Sequence, residues 1–152
     1  MINLGFYSGK NAPEVRFRPM VIDRMLEAAA LLVVLATWVG IYWLYVQAEG
    51  RLSSYVWMMG GCSVFCFLLM WVAACLPVRF INFPVRVNER NIGIQYLLAV
   101  RLVRVMNIIL CLLLLGELLV EFYGFPKSLL VLLLLLLMLV LLVYYVLAFK
   151  YK

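Results

Sequence analysis

Apolar positions in this chain fall into four long runs separated by short polar breaks. The first, 28–46, contains no charged side chain. At about 1.5 Å of rise per residue, a helix of that length crosses the roughly 30 Å hydrocarbon layer of a bilayer. The second run, 55–76, is stopped by Pro77, whose ring and missing N–H break a continuing helical ladder. The third, 105–123, is interrupted by Glu117 and Glu121, and the fourth, 129–149, is Leu-rich, almost featureless and expected to face lipid. The pattern predicts one all-α integral membrane domain over 1–152: a four-transmembrane-helix bundle with a tail at 1–24 and a connection at 77–104.

The connection has two regimes. Up to Val87, apolar and basic residues mix with prolines, and Pro84 biases Phe83 towards extended backbone, so this stretch is expected to run along the membrane surface. From Asn88 the pattern turns helical: Asn88 is a candidate N-cap, Glu89 suits the positive end of the helix dipole, and strong helix formers follow. At 100° per residue Arg90, Arg101 and Arg104 fall within about 60° of one another. The expectation is an interfacial amphipathic helix, its arginines among lipid phosphates, that bends or runs straight into the third span.

Composition supports the bilayer as the solvent. The chain is 68% apolar and 13% charged, whereas a soluble domain runs nearer half and a quarter. So much apolar surface does not fit inside one small core, which excludes a soluble enzyme, a disordered chain and a free nucleic-acid binder despite the net charge of +6. The cations set direction. Lys10, Arg16, Arg18, Arg24, Arg79, Arg86, Arg90, Arg101, Arg104, Lys150 and Lys152 fall on one side of a four-span layout, and only Arg51 and Lys127 on the other. Both termini are therefore expected on the cytoplasmic face, with attraction to anionic lipid headgroups as the physical consequence. Val46-Gln47-Ala48 resembles a cleavage site, but the apolar run before it is too long for a signal peptide and span one is expected to stay.

Candidate chemistry is sparse. Cys62, Cys66, Cys75 and Cys111 all lie in predicted spans and the chain has no histidine, so they read as small apolar packing residues, and no metal or cofactor is expected. Gly60, Gly61 and Ser63 in span two, with Ala36 and Gly40 in span one, fit a close contact between these spans; the alternative is a homodimer face. Asp23, Arg24 and Glu27, just before span one, are expected as solvated interfacial charges, although pairing with Arg101 or Arg104 is within reach. Glu117 is the one ionisable residue well inside a span, with Glu121 sharing its face. A carboxylate at such depth costs roughly 2.5–3.5 kcal/mol on the insertion scale, so it should be neutral, wetted or paired, with Arg51, Lys127, Tyr42 or Tyr45 as candidate partners.

Asn82-Phe83-Pro84-Val85-Arg86-Val87, followed by Glu89, Asn91 and the run from Gln95-Tyr96 to Arg101 and Arg104, resembles the cytoplasmic signature of a small bacterial four-span membrane domain family of unknown function, itself related to the amino-terminal part of SdpI-type immunity proteins. The resemblance implies the fold, a bacterial inner-membrane location and the inner motif, but no catalytic residue. Family members carry a longer outer segment after span one with a His-Phe element, whereas here only residues 47–54 link the spans. Two readings of Asn82, Pro84, Arg86, Asn91, Gln95, Tyr96, Arg101 and Arg104 follow: a folding device at the interface, or a docking surface for a partner or an anionic lipid.

No Ser/His/Asp set, metal cluster or phosphate loop is present in the sequence. The expected function is that of a non-catalytic multi-pass membrane protein, an accessory or protective envelope protein acting through partner or lipid contacts. The alternative is a small homo-oligomeric proton- or ion-coupled transporter using Glu117.

Overall fold

The computed structural model describes residues 19–152, apart from Glu89 and the side chain of Arg79. Four helices follow in order: α1 (Val21–Gln47), α2 (Ser54–Ala74), α3 (Ile92–Tyr123) and α4 (Ser128–Lys150), with one 3-10 turn at Val78–Phe80. All four are long and apolar enough to cross a membrane. Each apolar run lies in one helix except for Cys75 and Leu76, which follow the end of α2, and α1 and α3 begin earlier than their runs. The tail expected over 1–24 lies outside the described residues as far as 18, and Val21–Arg24 already belongs to α1.

The connection departs from expectation. No separate amphipathic helix precedes the third span: α3 is one 32-residue helix that contains the predicted segment from Ile92 onward together with the span. Nor does Asn88 cap it. Helix α3 starts at Ile92, and the Asn91 side chain turns back on the loop, Oδ1 accepting from Asn88 N at 2.7 Å and Nδ2 donating to Arg86 O at 3.1 Å. The local bonds of an Asn side chain here compete with helix and win for four residues. The dipole role expected of Glu89 lies outside the described residues. Arg90 stands before the helix, so the basic stripe is reduced to Arg101 and Arg104.

Helix α3 is the hub. It packs against the other three helices, and α1 also packs against α2. Chain direction gives the bundle two ends: one, called inner after the expected topology, carries the connection between α2 and α3, and the other, called outer, the two short turns. Those turns use left-handed backbone: Glu49 and Gly50 have φ of 50° and 81°, and Gly124, with φ 72°, closes α3. At the inner end Phe83 and Val87 from the loop join Ala74, Ile92, Tyr96 and Val100 in one buried cluster. At the outer end Ile41, Val56, Met59 and Leu118 form a second. Polar side chains lie between: Asn107 Nδ2 donates to Phe67 O at 3.3 Å, while Thr37 and Ser63 bond backbone of their own helices.

Small residues set the helix spacing, though not all in the expected pair. A Cβ on Gly60 would lie 2.9 Å from Ile41 Cδ1 and 3.2 Å from Trp38 Cζ2, so this glycine does seat α2 against α1. Gly40 instead faces α3, where a Cβ would lie 2.9 Å from Leu118 Cδ2. Ala36 and Gly61 are exposed. Gly116 receives Leu130 and Leu133 of α4, a helix otherwise exposed along most of its length.

Candidate functional site

The most unusual chemistry is a charged quartet between α1 and α3. Asp23 lies in the first turn of α1, where the helix dipole favours an anion, and its Oδ2 accepts from Met20 N at 2.8 Å. Glu27, one turn on, shares its face. Opposite, Arg101 and Arg104 stand three residues apart on α3. Arg104 Nη1 lies 3.0 Å from Asp23 Oδ1, and Arg104 Nε donates to Glu27 Oε1 at 2.9 Å. Arg101 Nε lies 3.6 Å from the same Asp23 oxygen, and Arg101 Nη2 reaches Met20 Sδ at 3.4 Å. The four charges cancel.

Burial grades the group. The Asp23 side chain is 0% exposed and that of Arg104 5%, whereas Glu27 and Arg101 keep 27% and 34%. The expectation of a solvated charge is thus corrected for Asp23, and that of arginines among lipid phosphates for Arg101 and Arg104, which face acids of their own chain. The pairing with Arg101 and Arg104 that the sequence left as the second possibility is the one formed, because burial between α1 and α3 cannot be read from one helix alone. The available signal was complementary spacing: two acids four apart on one helix, two arginines three apart on another.

The remaining inner-motif residues tie the loop and the helix ends together. Tyr96 O–H donates to Leu76 O at 3.0 Å, holding the end of α2. Gln95 is fully buried and its Nε2 donates to Ala148 O at 2.9 Å and Tyr151 O at 3.2 Å, fastening the last turn of α4. Asn91 shapes the loop as described. Pro84 is half-buried, between buried Phe83 and Val85, while Asn82, Arg86 and Arg90 are exposed. The loop is therefore a folded cap on the bundle with basic side chains outside it.

Glu117 and Glu121 lie at the other end. Glu117 is half-buried and its Oε1 accepts from Tyr55 O–H at 3.5 Å, a partner on α2 rather than the expected Arg51, Lys127, Tyr42 or Tyr45. Glu121 is exposed. Nearby, Tyr123 O–H donates to Gly40 O at 3.0 Å, a bond between α3 and α1 that the sequence pattern did not suggest. Among the described residues no group of three or more acids and cysteines is placed to hold a metal ion.

Compared with protein-family models, curated proteins and solved structures, the chain finds no match.

Proposed function

We propose that the protein is a multi-pass protein of the bacterial inner membrane, both ends cytoplasmic, without catalytic activity, serving as an accessory or protective envelope protein through its inner cap. The resemblance of the loop motif to the four-span domain family and to SdpI-type immunity proteins points the same way. The observation that carries this reading is the cap. Its backbone is fixed by Asn91 and Tyr96 and its side chains Val78, Phe83, Val85 and Val87 are buried, yet Arg86 and Arg90 stay outside. Holding a loop in one shape lowers the ordering cost of binding, which is what a recognition surface needs. The charged quartet has a supporting role: it fixes α1 against α3 beneath the cap, and its internal neutrality leaves no uncompensated acid there.

Two measurements test this. Reporter fusions at residues 51 and 152 should place Arg51 outside and Lys152 inside; the reverse sinks the topology. Photo-crosslinkers at positions 86 and 90 in living cells should give a discrete adduct that a crosslinker at Tyr42 does not. Identical adducts from all three positions would remove the cap from the account.

A further inference from the structure

Resting on that membrane reading, we infer that the inner end is a seat for anionic phospholipid headgroups, with Arg86, Arg90 and Lys150 as its phosphate contacts and Tyr151 as its interfacial aromatic. Charge balance is the first argument. Two acids of this end, Asp23 and Glu27, are taken up by Arg101 and Arg104 inside the bundle. Arg24, Arg86, Arg90, Lys150 and Lys152 remain exposed around them, and Glu89 is the one other acid between residues 77 and 107. The exposed surface is therefore strongly cationic although the core beneath it is neutral.

Depth is the second argument. The bonds from Gln95 to Ala148 and Tyr151 set the first turn of α3 beside the last turn of α4, so Arg90, just before α3, and Lys150 share this end of the bundle. Asn91 Nδ2 on Arg86 O holds Arg86 there too. The uncharged part of α3 begins after Arg104, about 14 Å of rise beyond Gln95, so the Gln95 level lies on the headgroup side of the hydrocarbon boundary. The cations thus lie on the headgroup side of the spans, within side-chain reach of phosphates. Tyr151 is exposed with Lys150 Nζ 5.8 Å from its ring centroid, and an aromatic with a polar tip belongs at that interface. An acidic segment of another protein would meet the same charges, but neither the depth nor the aromatic would follow from it.

The test uses the full chain, extracted in neutral detergent with equal amounts of phosphatidylglycerol and phosphatidylcholine and examined by native mass spectrometry. The wild type should retain phosphatidylglycerol in excess. Arg86→Gln with Arg90→Gln should lower that excess about fivefold per cation removed, as should Lys150→Gln alone by one such step. The outer pair Arg51→Gln with Lys127→Gln should leave it unchanged. Because the substituted side chains are exposed, unaltered far-ultraviolet circular dichroism is expected throughout. Equal retention of the two lipids by the wild type overturns the inference, and so does an excess that survives the inner substitutions or falls equally with the outer ones. A protein partner held through Arg86 and Arg90 while the lipids bind equally also overturns it, assigning the surface to an acidic polypeptide. Retention of neither lipid also overturns the inference, whereas recovery of the chain in the aqueous fraction without detergent overturns the membrane reading itself.

Discussion

Removing Arg104 should destabilise the protein more than any other single charge change, and the geometry says by how much. Arg104→Gln leaves Asp23 enclosed by protein, its 3.0 Å partner gone and only Arg101 at 3.6 Å. Removing one member of a buried ion pair costs about 3–5 kcal/mol, because the remaining charge keeps its desolvation penalty. Glu27 also loses its 2.9 Å bond, but it is partly wetted and contributes less than about 1 kcal/mol. Asp23→Asn should cost less, about 1–3 kcal/mol: the amide oxygen still accepts from Met20 N, and Arg104 keeps Glu27. In the double variant no charge is stranded at that contact, so its loss should fall short of the sum of the single losses by about 2 kcal/mol. Reversible unfolding in mixed detergent micelles, read by tryptophan fluorescence, measures all corners of the cycle. Losses that add to within about 0.5 kcal/mol, or an Arg104→Gln loss below about 1 kcal/mol, would refute the reasoning.

Other consequences are local. Gly60→Ala should be less stable than Gly61→Ala by about 1–3 kcal/mol, since the first Cβ meets buried Ile41 and the ring of Trp38 while the second meets open space; equal unfolding midpoints would contradict that packing. Asn91→Ala removes two loop hydrogen bonds worth about 1–3 kcal/mol together, so trypsin should cut after Arg86 or Arg90 at least about tenfold faster with the helices intact, and an unchanged rate counts against the folded cap. Gln95→Leu frees Ala148 O and Tyr151 O, and amide exchange in the last turn of α4 should rise about fivefold or more; unaltered exchange would show that this turn is held by something else. Glu117→Gln keeps an acceptor for Tyr55 O–H and should shift stability by less than about 0.5 kcal/mol, with proton flux into proteoliposomes the same as wild type; a lost flux would restore the transporter alternative.

Helices were legible in the sequence because an apolar run of bilayer length needs no knowledge of its neighbours. Pro77 likewise announced the end of α2, whose last helical residue is Ala74. The start of α3 was less legible, since Asn88 looks like a cap until the Asn91 side chain is seen to claim Asn88 N and Arg86 O. Partners across the bundle were hardest. Gly60 was correctly matched to α1, but Gly40, with the same small-residue spacing, serves α3, and Glu117 meets Tyr55. Asp23 illustrates the general reason. A residue at the edge of an apolar run reads as wet, and only the arrival of α3 encloses it.

That arrival has a time attached. Asp23 and Glu27 emerge from the ribosome about 80 residues before Arg101 and Arg104, a delay of roughly 4–16 s at ordinary synthesis rates of about 5–20 residues per second. During it the α1–α2 hairpin can already close around Gly60, whereas the acids at the head of α1 lack their arginines and cannot enter a dry environment. Closure of the quartet is therefore a late event in biogenesis, and a chain truncated before Arg101 would carry Asp23 and Glu27 at the foot of its first helix without their arginines.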